Sequence, residues 1–386
     1  MFKPALILTT ILSPAILHGA ASAAEGPFDD EIIVTGQYLS IDKVNAVKTP
    51  TPLIDVPQSV TIITADDIAS QSFQSLGDIT RYTPGVNISQ GEGHRDAIII
   101  RGNQTTADFF QDGLRDDVQY YRPLYNLQQV EILRGANALL FGRGGVGGII
   151  NRVTKSPDLE GGFTDLTGSV DTFGAYYGAV DINQPINDAV GLRINGFYEG
   201  LNNHRDFVDG ERFGINPTLS FALSPQTAVD LSYEYLDDDR TVDRGVPSVA
   251  VANGPDVPLS GFDDTFFGDP DANVTTLQAH ILRASLDHQF NDALRGNASL
   301  QYADYDKAYQ NLYASDRVVL TNGTFDQLEL DGYADRTDRE NIIAQANLVG
   351  EFNTGPFGHT VLVGAEYAAQ HSDNARFDTV FAQNGD

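Results

Sequence analysis

The chain has 386 residues, 41% of them hydrophobic, which suffices for a large core and excludes a disordered polymer. Its 24 Lys+Arg against 53 Asp+Glu give a net charge of −29, which argues against nucleic acid as a partner, since such binding neutralises phosphates with cations. Cysteine is absent, which removes disulfides, thiolate chemistry and cysteine-bound metal.

Beyond the N-terminus, no window holds the ~18 uninterrupted apolar residues of a membrane-spanning helix. Met1–Ala23 itself reads as a signal peptide. Lys3 supplies the basic start, residues 5–17 the apolar run, and Ala21-Ser22-Ala23 the small-x-small cleavage site, so a mature chain is expected from Ala24. Residues 24–49 read as a flexible segment. Within it Glu31-Ile32-Ile33-Val34-Thr35 is a short extended run between acidic and polar residues. A β-prone segment on a tether is suited to strand addition at a partner's sheet edge; the plainer reading is a first edge strand.

Residues 50–157 read as one small mixed α/β domain. Val56–Ile63 is a strand entered from a proline. Thr64 is a helix N-cap followed by Asp66 and Asp67 in the first turn. Leu76–Ile79 is a second short helix, stopped before Pro84-Gly85. Ala97–Arg101 is a strand, and Asp112-Gly113 marks a hairpin. The glycines between Leu133 and Ile149 include Gly142-x-Gly144-x-x-Gly147, the spacing of a dinucleotide fingerprint. They lead into the β-branched run Ile149–Thr154 rather than a helix, so no helix N-terminus is available for a pyrophosphate. A glycine-rich turn between packed elements is the better reading.

From Phe163 the hydrophobic period becomes two. Leu192 and Ile194 alternate with Arg193 and Asn195; Val229, Leu231, Tyr233 and Tyr235 with Asp230, Ser232 and Glu234; Leu282, Ala284 and Leu286 with Arg283, Ser285 and Asp287. Segments of about ten residues with one apolar and one polar face are the pattern of a transmembrane β-barrel. Short turns at Pro185–Asp188, Ser224–Gln226, Asn291–Asp292 and Asn353–Pro356 alternate with longer polar segments at Asn202–Arg212, Asp238–Thr276 and Lys307–Glu340. The count is nine strands by Gln370.

In order and spacing, VPQSVTIIT (56–64), LGDITRYTPGV (76–86), IIIRG (98–102), DGLRD (112–116), EILRG (131–135), LFG (140–142) and GGIINRVTKSP (147–157) resemble the plug domain of TonB-dependent outer-membrane receptors. The resemblance covers the whole domain 50–157. It implies a mixed α/β plug followed by an antiparallel transmembrane β-barrel, of which residues 158–386 would supply about nine of ~22 strands. The chain would then be an N-terminal fragment or a truncated product. Glu31–Thr35 resembles the TonB box, the handle through which the TonB machine of the inner membrane drives the receptor. The location implied is the outer membrane of a Gram-negative bacterium, in contact with its lipid.

The phrasing is most similar to the ferric siderophore branch; cobalamin and carbohydrate receptors share the plug and stay open. The rival classes are a secreted β-rich binding protein or adhesin, and a passive porin. No enzyme constellation stands out. The seven histidines have no zinc-motif spacing, so no cofactor is expected and iron would arrive as chelated cargo. Recognition of an anionic or planar chelate falls to Arg and aromatic residues. The resemblance places GEGHR (91–95) and RDDVQYYRPLY (115–125) at the outer mouth, which makes Arg95, Arg115, Tyr120, Tyr121 and Arg122 candidate ligand contacts; packing against the wall is the alternative. Arg101, Glu131 and Arg134 are expected to latch the plug to lumen acids such as Glu199 or Glu234, because buried charges need partners. The acids at 237–239 and 263–264 read as solvated outer loops, with calcium a lesser alternative.

Overall fold

The computed structural model describes residues 44–49, 56, 58–135, 141, 145, 147–249, 251, 254–315, 319–321, 324–327 and 329–380. The proposed signal peptide and Glu31–Thr35 lie outside them.

Local signals set the first domain. Strand β1 (Ser59–Thr64) runs into helix α1 (Ala65–Ser70), whose N-cap is Thr64, with the Asp67 side chain returning the bond in a capping box. Helix α2 (Leu76–Arg81) begins the same way, with Ser75 and Asp78. Strands β2 (Val86–Ser89), β3 (Ala97–Ile100) and β4 (Asn103–Thr105) form one small sheet. Strands β5 (Phe109–Gln111), β6 (Leu114–Arg115), β7 (Leu127–Arg134) and β8 (Gly148–Thr154) join β1 in a second, in the order β1-β7-β8-β5-β6. Asp112 and Gly113 turn the β5–β6 hairpin at φ 51° and 78°, the left-handed pair that Asp-Gly tolerates. Between the sheets lies an apolar core of Leu76, Ile79, Ile98, Ile100, Phe109, Val130, Ile132 and Ile150. Gly147 and Gly148 are required where they stand: a Cβ on either would strike a carbonyl oxygen, of Ile100 and Leu133 respectively. The glycine cluster thus serves close backbone approach at the entry to β8, and no helix follows it.

The second part is one antiparallel sheet of nine strands: β9 (Phe163–Val170), β10 (Tyr176–Asn187), β11 (Val190–Asn202), β12 (Asp209–Ser224), β13 (Thr227–Thr241), then, after a ribbon of β14 (Ser248–Val249) and β15 (Val257–Pro258), β16 (Val274–Asn291) and β17 (Leu294–Ala314), and, after a second ribbon of β18 (Val319–Thr321) and β19 (Thr324–Gln327), β20 (Leu330–Thr354) and β21 (Phe357–Asp378). Each of the nine pairs with its sequence neighbour in the sheet, which matches the expected count and the four short turns. The long connections differ from expectation. Asp237–Asp239 lie inside β13, and most of Lys307–Glu340 is ladder, with only 315–329 between β17 and β20. At about 3.4 Å per residue, β20 spans roughly 80 Å, far beyond an apolar band of about 25 Å. Above that band both faces of a strand are polar, so its sequence resembles a loop.

Burial is inverted relative to a water-soluble sheet. Leu231, Leu282 and Leu300 are 43%, 55% and 52% exposed, while their strand neighbours Glu234, Arg283 and Gln301 are buried. The apolar face points outward and the polar face covers the first domain. Leu300→Arg should therefore cost about 2–4 kcal/mol, the penalty for a cation at mid-bilayer depth. The check is the yield of heat-modifiable, membrane-inserted protein, with Ser299→Arg on the polar face as the milder comparison.

Candidate functional site

The polar face of the sheet meets the small domain in layers, numbered here from the short-turn end. The lowest carries hydroxyls and carboxylates: Thr218, Ser232, Asp230, Ser285 and Asp287 line a cavity shared with the turn at 44–49 and with the Asp112-Gly113 hairpin.

Above it lies a hydrogen-bonded belt. Glu234 Oε2 accepts from Gln111 Nε2 at 3.0 Å and its Oε1 from Asn126 Nδ2 at 3.1 Å; Asn126 also donates to Asn216 at 3.1 Å. Arg283 stands 3.5 Å from Glu234 and donates to Gln301 at 2.8 Å. Glu234 is therefore an attachment point of the small domain, through two neutral amides that the sequence did not single out. Nearby, Lys155 pairs with Asp181 at 2.9 Å, tying the domain's C-terminal end to β10.

The next layer is apolar. Val118, Tyr120 and Tyr125 of the 116–126 loop pack against Phe197, Leu236, Leu277, Ala279, Ile281 and Tyr305 of the wall. The top layer is charged. Arg212 pairs with Glu199, and Arg240 with Asp238. Lys307 donates to His94 Nδ1 at 2.6 Å and to the Gln119 carbonyl. Burial pushes the His94 imidazole down to about 3, the Glu92 carboxylate offsetting only part of this, so His94 is neutral at physiological pH.

Within the small domain, Arg122 is fully enclosed. Its Nε donates to Asp116 at 2.9 Å, its Nη2 to the carbonyls of Asp116 (2.9 Å) and Val118 (2.7 Å), and its Nη1 to that of Tyr120 (3.2 Å). The guanidinium lies 3.8 Å from the Phe109 ring centroid. Asp116 also receives Arg152 at 2.5 Å. Burial raises the Asp116 carboxyl, but the guanidiniums of Arg122 and Arg152 outweigh it and hold the group below the usual carboxylate range.

The candidate ligand contacts therefore separate. Tyr120 and Arg122 are buried, and their donors and rings are engaged inside the protein. The Arg-aromatic pattern that marks a chelate site also serves an interior ion pair. Arg115 donates to the carbonyls of Ala107 (2.7 Å) and Phe141 (3.1 Å) beside the Phe110 ring. Tyr121 lies at the long-connection end, where its hydroxyl donates to the Gln90 carbonyl at 3.0 Å and its ring faces Arg240 at 4.8 Å. With Arg122 it lines a cleft of about 360 Å³ between Gln74–Arg81 and the upper wall at Asn202, Asp209 and Arg240. Arg95 sits near this end, bound to Glu92 at 2.8 Å.

The expected latch pairs are not formed. Glu199 takes Arg212, and Glu234 takes the partners above. Arg134 bridges the Pro84 carbonyl (2.5 Å) and Thr61 Oγ1 (2.9 Å) inside the small domain. Arg101 occupies an exposed turn at φ 51°. Glu131 faces the turn at 45–47: it accepts from the backbone N–H of Asn45 (2.6 Å) and Ala46 (2.9 Å). Charge alone does not reveal the depth or face of a side chain, so the three could not be matched with partners from sequence. Among the described residues no three or more His, Cys, Asp or Glu are placed to hold a metal ion.

Residues 52–149 match the TonB-dependent Receptor Plug Domain family. The chain is 28% identical to a probable TonB-dependent siderophore receptor, PiuA, of Acinetobacter baumannii, across 90% of this chain and 47% of that protein. It is 28% identical to the catecholate siderophore receptor Fiu of Escherichia coli K12, across 92% and 50%. It is 29% identical to the metal-pseudopaline receptor CntO of Pseudomonas aeruginosa, across 94% and 50%. The fold superposes on the crystal structure of PiuA with a TM-score of 0.76 at 26% identity, covering 87% of this chain and 48% of that one. On the open form of Fiu the TM-score is 0.75 at 25% identity, covering 84% and 51%. The chain spans about half the length of the curated relatives it matches.

Proposed function

We propose that this chain, a member of the TonB-dependent receptor family of the bacterial outer membrane, serves the uptake of a ferric siderophore, energised by TonB contact at Glu31–Thr35. Receptors of this family are transporters rather than enzymes. The observation that carries the reading is the seating of the plug. Its Gln111, Asn126 and Lys155 are bonded to the lumen face of the sheet, and its 116–126 loop packs against the wall. A solute arriving from the long-connection end meets the cleft beside Tyr121 and then the plug. It passes only if the plug moves, and motion of a hydrogen-bonded plug needs work from outside. Arg95 and Tyr121 are the proposed cargo contacts; Arg122 also borders the cleft, but its donors are engaged by Asp116 and by backbone carbonyls.

The siderophore assignment is supported by the names of two relatives, and a relative named as a metal-pseudopaline receptor favours a second reading, a different metal–chelate cargo. The test is uptake in the native host under iron limitation, using ferric and zinc forms of a chelator panel, with and without deletion of residues 31–35. Uptake of one ferric chelate, lost on deletion while surface binding persists, is the expected result. Uptake only of a non-ferric complex moves the assignment to the second reading; uptake indifferent to the deletion removes Glu31–Thr35 as the handle.

A further inference from the structure

Glu131 lies in the middle of β7 and is fully buried, and its hydrogen-bond partners among the described residues all belong to the small domain and its N-terminal turn. Its carboxylate accepts five hydrogen bonds. Two come from the main-chain amides of Asn45 and Ala46, at 2.6 and 2.9 Å. Three come from side-chain amides: Asn45 at 3.2 Å, Gln129 at 2.8 Å and Asn151 at 2.9 Å. Asn45–Val47 is a single 3-10 turn. Val44, just before it, and Ala46, within it, insert beside Phe110, Leu133, Phe141 and Ile149. A buried carboxylate thus fixes two orphan N–H groups of the first described turn of the chain, which follows the Glu31–Thr35 segment in sequence. The same turn forms one side of the lower cavity, about 170 Å³, whose far wall is Thr218, Asp230, Ser232, Ser285 and Asp287.

We propose that Glu131 is a clasp for the N-terminal segment, and that release of Asn45 and Ala46 from it is the first event when that segment is pulled, opening the lower cavity before the plug sheet is disturbed. The inference rests on the reading that residues 31–35 are the point of traction. Its physical basis is the direction of load. A pull from the N-terminus peels the turn at 45–47 bond by bond, starting at the carboxylate. The β1–β7 and β7–β8 ladders, with six and seven paired positions, lie behind it and share load along their length. Charged hydrogen bonds are the stronger kind, so the clasp holds at rest. Its donors can be taken over by water once the turn lifts, which lets it reset. Opening costs the plug core little, since Val44 and Ala46 are the small apolar groups withdrawn.

The chain contains no cysteine, so single cysteines report cleanly. Two reporters are used in native outer membranes, Val44→Cys in the clasped segment and Ile132→Cys in the plug sheet, both with buried parent residues. The readout is the rate of modification by a hydrophilic maleimide. Glu131→Gln, which keeps the shape but faces the two N–H groups with a neutral amide, should raise the Val44→Cys rate at least tenfold and leave Ile132→Cys unchanged. With Glu131 intact and TonB present, transported chelate should expose Val44→Cys alone. An equal rate at Val44→Cys with and without Glu131→Gln overturns the clasp. A simultaneous rise at both reporters also overturns it, making Glu131 only a residue of the plug core. The Glu131→Gln comparison needs neither cargo nor TonB, so failure of every chelate to be taken up would strike the functional reading and leave the clasp standing.

Discussion

Asp116→Asn is expected to destabilise the plug by about 3–5 kcal/mol, the usual loss when one member of a buried ion pair is removed. Asp116 is the shared acceptor of two guanidiniums, Arg122 at 2.9 Å and Arg152 at 2.5 Å, and all three side chains are buried. The amide removes the charge both cations rely on and leaves them facing each other in a site closed to water. Arg122 retains its backbone acceptors at Asp116, Val118 and Tyr120 and the buried Asp96 carboxylate at 3.7 Å, so its position persists and the larger loss falls on Arg152. Hydrogen exchange in detergent micelles is the suitable measurement. The amides of the 116–126 loop and of β8 should lose protection together, while those of β9–β21 keep theirs. Unchanged protection in the loop would mean that Asp96 and the carbonyl cage suffice to hold Arg122.

Glu234→Ala should loosen the attachment of plug to wall without unfolding either. Glu234 accepts from Gln111 and Asn126 and compensates Arg283 at 3.5 Å. Removal leaves a buried Arg283 with the hydrogen bond to Gln301 but without its nearest carboxylate, a loss of up to about 3–5 kcal/mol, drawn mainly from the interface. The expected phenotype is intermittent ion conductance across planar bilayers, absent in the parent. Glu234→Gln, which can still accept one of the two amides, should give a smaller effect. A silent Glu234→Ala channel would place the restraint in the apolar layer around Tyr120 and Tyr305 instead.

Much of this organisation was legible in the sequence because it is local. The capping boxes at Thr64 and Ser75, the Asp-Gly hairpin at 112–113 and the four short turns each depend on residues a few positions apart. The two-residue period located the nine strands and assigned faces correctly, as the exposure of Leu231, Leu282 and Leu300 records. Strand ends were not legible where both faces turn polar above the apolar band, so Asp237–Asp239 read as loop. The plug contacts were hidden for another reason. Gln111 and Glu234 are 123 positions apart, and nothing in either neighbourhood announces the other. The RDDVQYYRPLY segment was read by residue type, and Arg with aromatics describes both a chelate contact and the interior stack of Arg122 on Phe109. Depth separates Tyr121 from Arg122, and depth comes from the tertiary fold.

The layering of the plug–wall contact also gives that contact a polarity. Toward the short turns it consists of hydroxyls, carboxylates and amides, which water can replace at small net cost, since an exchanged hydrogen bond is worth about 0.5–1.5 kcal/mol. Above these and below the charged pairs it is sealed by Tyr120, Tyr125, Phe197, Leu236 and Tyr305, whose separation would expose apolar area at roughly 25 cal/mol per Å². The two layers therefore answer differently to temperature. The apolar seal weakens on cooling, as hydrophobic contacts do, whereas the amide belt does not share that dependence. In the cold the apolar layer is therefore the part of this contact that slackens.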